Sequence, residues 1–341
     1  MLVHLFGGAS SPCCANYALK RTSEDNKHDF DAETIKTAKE SFYVDDCLHS
    51  LKTESEAKRL IKQLQELLYK GGFHLTKWTS NSMNIVESVP EEKRATSVKE
   101  LDLDLDDKML TERALGVRWN LSSDTFRFRI IEKDRPATRR GMLSITSSVY
   151  DPLGFVSPYI LPAKAIQQEL CRHGLGWDDK VPDASKIKWE DWLKDLPKFE
   201  QFTIPRCLKP SNFGNVVKRE LHHFSDASSH GYGAVSYLRQ LNVHGDVCCA
   251  IVMAKSRLAP LKSITIPRME LSAAVVSTRL DRMIKQELMM PIDSSTYWTD
   301  STCVLRYLEN KETRFQTFVA NRIQPYSTKV KQVNGDSLTD H

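Results

Sequence analysis

The 341-residue sequence contains no apolar run near the roughly 20 residues that a membrane-spanning helix requires. Its opening Leu2-Val3-His4-Leu5-Phe6 is too short for a secretion-signal core and has no basic leader. A cytoplasmic or nuclear, non-secreted protein with no membrane partner is therefore expected. No CxxC spacing occurs among the eight cysteines, although Cys13-Cys14 and Cys248-Cys249 are adjacent pairs. That argues against a zinc site and predicts small buried thiols in a reducing compartment. No GxxxxGK[ST] pattern supports a phosphate-cradling loop. No Asp-Thr-Gly or Asp-Ser-Gly tripeptide supports the shared-proton carboxylate pair of an aspartic peptidase. Internal repeats and long low-complexity linkers are absent too. Neither sign of charge dominates, since 48 basic against 44 acidic residues leave +4. Such a balance permits nucleic-acid binding without demanding it, because steering depends on where the charge sits. The local clusters Lys133-Asp134-Arg135 with Arg139-Arg140, and Lys329 with Lys331, each read singly as solvated surface.

The length is that of two or three compact domains. With 40% hydrophobic and 27% charged residues, the composition is that of a globular chain. Ser41-Phe42-Tyr43-Val44, Asp45-Asp46 and Cys47-Leu48 predict strand, acidic turn and strand. Thr53 with Glu56 forms a capping-box signature, followed by a helical stripe of Leu60, Ile61, Leu64, Leu67 and Leu68, which Gly71-Gly72 ends. Phe73 to Trp78 alternates and predicts a further strand. Residues 85–112 are acidic and loosely patterned. Asp102, Asp104, Asp106 and Asp107 read there as a solvated connector, although alternation with Leu101, Leu103 and Leu105 allows an edge strand. A second hairpin is expected at Ala114–Trp119 and Thr125–Ile131. Helical patterns return after Thr138, break at Asp151-Pro152-Leu153-Gly154, and resume from about Pro162 to Cys171. Trp177, Trp189 and Trp192 lie in a polar connecting stretch.

The final third predicts strands at Leu221–Ser225, Gly233–Leu238 and Cys248–Ala254, then a helix from about Pro267 to Leu288. A strand at Ser295–Thr299 follows, and Ser301 caps the helix carrying Val304, Leu305 and Leu308. Several strands, then helix, strand and helix, make an α/β layer arrangement. Three carboxylates stand at element ends: Asp226 after a strand, Glu270 in the first turn of the long helix, and Asp300 after the next strand. Each has an ordinary reading, as a turn residue, a helix-dipole partner and a helix N-terminal charge respectively. Together they allow another, because carboxylates beside a core are costly unless a cation justifies them. Two divalent ions about 4 Å apart can activate water and stabilise a leaving oxygen in phosphodiester hydrolysis. His222 and His223 alternate between sheet faces and read as surface and packing residues; no nucleophilic triad stands out.

The order strand–Asp226, helix–Glu270, strand–Asp300, with Phe-Ser-Asp-Ala-Ser, Pro-Arg-Met-Glu-Leu and Trp-Thr-Asp-Ser, resembles the RNase H-like fold in its retroelement versions. Phe42-Tyr43-Val44-Asp45-Asp46 is similar to the Tyr-x-Asp-Asp motif of a reverse transcriptase palm. Val3–Arg21, with Ser10-Ser11-Pro12 and Ala15-Asn16-Tyr17-Ala18, resembles the palm segment preceding that motif. Thr138–Cys171, including Ser148-Val149-Tyr150-Asp151-Pro152-Leu153-Gly154, is similar to the connecting segment of BEL/Pao-type retrotransposon polyproteins. The resemblance covers nearly the whole chain.

It implies an α/β and α+β multidomain chain. Residues 1–84 would be a partial reverse transcriptase palm with the hairpin, and 85–137 the palm end or thumb. Residues 138–215 would be a helical connection region, and 216–341 an RNase H-like domain that stops early. Asp226, Glu270 and Asp300 would be catalytic ligands of Mg2+ or Mn2+, with Asp336 or Asp340 as candidates for a fourth. Asp45 and Asp46 would be palm carboxylates. The earlier palm aspartate and the fingers fall outside the sequence, so polymerisation is not expected of this chain. The implied activity is metal-dependent cleavage of RNA in an RNA–DNA hybrid, selected by groove shape and 2′-hydroxyl contacts. The partners would be that hybrid, or other nucleic acid, and the rest of a retroelement polyprotein. Two other readings stand beside it: an inactive remnant that only binds nucleic acid through its backbone charge, and the aspartic peptidase region of Pao-type polyproteins, for which the tripeptide loop is missing.

Overall fold

The computed structural model describes residues 8–95, 111–114, 117–128, 135–310, 315, 317–323 and 330–332. Asp102, Asp104, Asp106, Asp107, Asp336 and Asp340 lie outside the described residues, as do Lys133 and Lys329. The chain forms two compact units, Met1–Arg127 and Phe128–His341. No helix among the described residues is long and apolar enough to cross a membrane.

In the first unit, helices α1 (Ser11–Asp25), α2 (Ala32–Glu40) and α3 (Glu54–Tyr69) close over Leu19, Ala38, Leu60, Leu64, Leu67 and Leu68. The stripe predicted for α3 is its buried face, with Ile61 at the margin. Its capping box is formed, because the Glu56 amide donates to Thr53 Oγ1 at 3.2 Å and the Thr53 amide to Glu56 Oε2 at 3.1 Å. The Asp31 carboxylate caps α2 by accepting the Thr34 amide at 2.8 Å. Strands β1 (Phe42–Tyr43) and β2 (Asp46–Cys47) are antiparallel and joined by Val44-Asp45. Val44 sits at φ +58°, a region that a β-branched side chain rarely tolerates. A short helix, α4 (Met83–Glu87), follows. The strand expected at Phe73–Trp78 does not form. Only Trp78 makes an isolated parallel bridge, to Arg94, because alternation marks burial but supplies no partner strand. Strands β3 (Thr111–Ala114), β4 (Val117–Asn120) and β5 (Thr125–Arg127) form an antiparallel meander.

The second unit begins with helices α5 (Arg139–Thr146), α6 (Ser157–Arg172) and α7 (Asp183–Asp195) around Met142, Ile160, Ala163, Ile166, Leu170 and Trp189. Helix α6 starts at Ser157 rather than Pro162. Pro158 takes the first turn and Pro162 lies inside, where the buried face of Ile160, Ala163 and Ile166 outweighs one missing backbone hydrogen bond. The stretch expected as connection is helical in α7, where Trp189 and Trp192 stack at 4.8 Å. Between α5 and α6, Asp151 accepts the amides of Phe155 and Val156, each at 2.9 Å. Burial nevertheless raises its carboxyl above the ordinary range. Gly154 follows at φ +79°, and a Cβ there would fall 1.9 Å from the Ala254 carbonyl oxygen.

After the short strand β6 (Thr203–Pro205) come three 12-residue strands, β7 (Val216–Ala227), β8 (Gly231–Asn242) and β9 (Val247–Leu258). Helix α8 (Ile266–Glu287), strand β10 (Ser294–Thr299), helices α9 (Thr302–Glu309) and α10 (Thr317–Ile323), and β11 (Val330–Gln332) complete the unit. The sheet order is β11-β10-β7-β8-β9. The three long strands are antiparallel, and β10 lies parallel to both β7 and β11. One face takes α8, burying Leu221, Ala234, Leu238, Val276, Leu280 and Ile284. At roughly 25 cal/mol per Å² of apolar area, this shared layer is the main stabilising contact of the sheet. All eight cysteines are free and none is buried, contrary to the expectation of buried thiols; the adjacent pairs fall on an exposed helix face and a sheet edge strand.

Candidate active site

Strand alternation decides what each residue near Asp226 meets. His223 turns inward and is fully buried, while Phe224 and Asp226 turn to the face opposite α8. Strands β7 and β10 pair in parallel with a constant offset, Ser294 opposite Glu220 and Trp298 opposite Phe224. Asp226 and Asp300 each lie two residues beyond this last pair. Immediately before the carboxylates, Phe224 and Trp298 stack at 5.9 Å with planes 9° apart. His222 lies against Trp298 on the same face, its Nδ1 accepting the indole N–H at 3.0 Å.

Asp226 and Asp300 both line an open cavity of about 490 Å³, together with Tyr232 and Lys255. Both are exposed. Asp226 Oδ1 accepts its neighbour's amide, that of Ala227, at 2.6 Å. The arrangement brings two carboxylates to one cavity, where like charges repel unless a cation intervenes. The donors are all oxygens, which suits a hard divalent ion, and magnesium commonly binds through one or two carboxylates plus phosphate oxygens. The residues present therefore fit the implied metal.

Glu270 is placed differently. It sits in the first turns of α8, half-buried, and does not line the cavity. Its Oε2 accepts the hydroxyl of Ser301, the residue after Asp300. Ser301 is also the N-cap of α9, accepting the Val304 amide at 3.2 Å. Among the described residues, no group of three or more His, Cys, Asp or Glu side chains is gathered closely enough to hold a metal ion. Thus two of the three expected carboxylates share one cavity, and the third is tied to it through Ser301. Asp45 and Asp46 share the exposed β1–β2 hairpin of the other unit.

Sequence reasoning missed the polar network under this sheet. His223 Nδ1 meets Ser236 Oγ at 2.7 Å and its Nε2 meets Asp281 Oδ1 at 3.1 Å. Asp281 also accepts from Ser295 Oγ, and from Lys285 Nζ at 2.9 Å. Burial alone would raise the Asp281 carboxyl. The hydrogen bonds from His223, Ser295 and Lys285 outweigh it and hold the group below the usual carboxylate range. The available signal was that Asp281 lies on the α8 face carrying Leu280 and Ile284, where an unpaired charge is not expected.

Residues 138–301 match the Pao retrotransposon-like RNaseH-like domain family, a span holding Asp226, Glu270 and Asp300. No curated protein matches the chain significantly. Among solved structures, the foamy viral protease–reverse transcriptase in complex with dsDNA aligns with TM-score 0.50 and 13% identity, covering 99% of this chain and 60% of that one. A second foamy viral structure, protease–reverse transcriptase dRH in complex with ds DNA, aligns with TM-score 0.48 and 16% identity, over 92% of this chain and 50% of that one. The chain thus spans between half and two thirds of the length of these proteins. Residues 138–301 thus match a Pao retrotransposon-like RNaseH-like domain, within a chain of mixed α and β structure.

Proposed function

We propose that the second unit is a divalent-metal-dependent nuclease that cleaves the RNA strand of an RNA–DNA hybrid. The observation that carries this reading is that Asp226 and Asp300, each two residues beyond the last β7–β10 pair, line one cavity. We assign Asp226, Asp300 and Glu270 to Mg2+ or Mn2+, which supplies a lowered water pKa and charge stabilisation at the phosphate. The chain's own part is positional. The ladder fixes the two aspartates, Ser301 holds Glu270 beside them, and Lys255 brings a positive charge to the same cavity. Phe224 and Trp298 offer a flat apolar floor against which a sugar or base can lie. Nuclease chemistry is assigned rather than polymerisation because Asp226 and Asp300 line one cavity and Glu270 is linked to Asp300's neighbour Ser301, whereas Asp45 and Asp46 share a single hairpin.

Cleavage of a labelled RNA–DNA hybrid by the purified chain, in Mg2+ or Mn2+, tests the reading, with Glu270→Gln as control. Metal-dependent cleavage lost in the variant supports it. A folded protein that binds hybrid and cuts it in neither metal overturns it in favour of a binding-only retroelement product. Glu270 lying outside the cavity wall is the observation on that side.

A further inference from the structure

A second concave surface of the same unit carries positive charge without any counter-charge. Arg279 and Arg282 project from α8, Arg257 from β9 and Arg322 from α10, around a cavity of about 420 Å³. Arg279 and Arg282 are three residues apart on one helix face, a spacing at which like charges repel and weaken the helix. Among the described residues no carboxylate lines this cavity and none of the four arginines forms an ion pair. Two arginines elsewhere in the unit are neutralised: Arg140 grips Asp178 at 2.8 and 3.0 Å, and Arg239 grips Glu220 at 2.7 Å. Arg322 is held in place, its guanidinium 3.6 Å from the Phe318 ring and donating to the Phe318 carbonyl at 3.1 Å. Four uncompensated guanidiniums in a concave site are complementary to a repeating anion, and their planar forks suit phosphate oxygens.

Position narrows the ligand further. Tyr232 lines both this cavity and the one holding Asp226 and Asp300, so one residue of β8 borders both. We propose that Arg257, Arg279, Arg282 and Arg322 bind the phosphodiester backbone of a nucleic-acid duplex that runs on from the carboxylate cavity. This rests on the nucleic-acid reading above and adds an anchoring surface separate from the cleavage chemistry. Such a surface supplies affinity through counterion release and reads no base sequence.

The test is binding of a fluorescein-labelled RNA–DNA hybrid in EDTA across a salt series, so that cleavage plays no part. Arg279→Gln/Arg282→Gln is compared with wild type, and Arg140→Gln serves as a control for a paired arginine. All three variant positions are exposed, and a thermal melt confirms the fold. The double variant should bind about tenfold more weakly, with a log K against log salt slope shallower by about 1 for each phosphate no longer neutralised. The Arg140→Gln control should match wild type. A folded double variant with unchanged affinity and slope overturns the arginine site while leaving the nuclease reading intact. Poly-glutamate competing as well as duplex also overturns it, since the occupant would then be an acidic polypeptide. A wild type that binds no duplex at all overturns the nucleic-acid reading itself.

Discussion

Ser301 Oγ faces two ways, donating to the Glu270 carboxylate and accepting the Val304 amide at 3.2 Å. One hydroxyl therefore starts α9 and orients an acidic residue of α8. Ser301→Ala should cost about 1 kcal/mol of stability through the missing cap. It should also lower cleavage roughly 10–100-fold through the released carboxylate. Ser301→Thr should restore both. Steady-state kinetics on hybrid with parallel melts checks this. An effect confined to stability would reduce Ser301 to a cap.

Asp226 and Asp300 form a like-charge pair at the ends of neighbouring parallel strands. Asp226→Asn or Asp300→Asn should abolish cleavage yet leave the unit as stable or slightly more so at low salt, by about 0.5 kcal/mol. Melting in EDTA measures it. In millimolar Mg2+ the order should invert, since only wild type gains ligand stabilisation.

Asp281 makes the unit sensitive to acid. Its folded-state carboxyl is depressed, so its stabilisation is complete above the unfolded value of about 3.9 and is lost as pH falls below it. Asp281→Asn should cost about 3 kcal/mol at neutral pH, because His223 loses a buried partner. The gap between variant and wild type should narrow near pH 3. Urea midpoints at pH 7 and pH 3 test this, and an unchanged gap would discard the assignment.

Gly154 and Gly174 both have positive φ, +79° and +70°, but only Gly154 is crowded, by the Ala254 carbonyl. Gly154→Ala should cost about 3 kcal/mol or more, from overpacking added to backbone strain. Gly174→Ala should cost only about 1 kcal/mol. The comparison of the two melts separates docking of the 151–154 turn against β9 from conformational preference alone.

Val44 between the hairpin strands is also strained, at φ +58° and largely exposed. Val44→Gly should stabilise the hairpin by about 1 kcal/mol, since the exposed side chain contributes little packing. Slower hydrogen exchange at the Leu48 amide, which donates to the Ser41 carbonyl at 3.1 Å across the hairpin, would register it.

Much of this was readable in the sequence because the signals were local. The Thr53–Glu56 box, the hairpin at 42–47, the strand-end positions of Asp226 and Asp300, and the Ser301 cap each depend on near neighbours, although the turn falls at Val44-Asp45, one residue before the expected Asp45-Asp46, because Asp46 pairs with Tyr43. What escaped depends on tertiary partners. Phe73–Trp78 has the alternation of a strand but no ladder to join. Pro162 signals a helix start, yet packing of Ile160 and Ala163 carries α6 through it. The arginine cavity draws on β9, α8 and α10, whose contributing residues run from Arg257 to Arg322, and no window of sequence contains them together. Glu270 was singled out from its place in the helix, but its tie to Ser301, 31 residues away in sequence, is a tertiary contact.

The β7–β10 pairing has an evolutionary corollary. The carboxylate spacing is written in backbone hydrogen bonds rather than side-chain contacts, so it survives wide substitution along both strands provided that phase is kept. A one-residue deletion within Ser294–Thr299 would rotate Asp300 to the helix side while leaving composition and strand propensity almost unchanged. The connecting segment is free of such a backbone tie only before Asp293, whose amide donates to the Arg219 carbonyl at 2.9 Å and whose carboxylate accepts the Arg219 amide at 2.7 Å. Divergent copies of this domain should therefore vary in the length of that loop and hardly ever in the count of residues from Ser294 to Asp300.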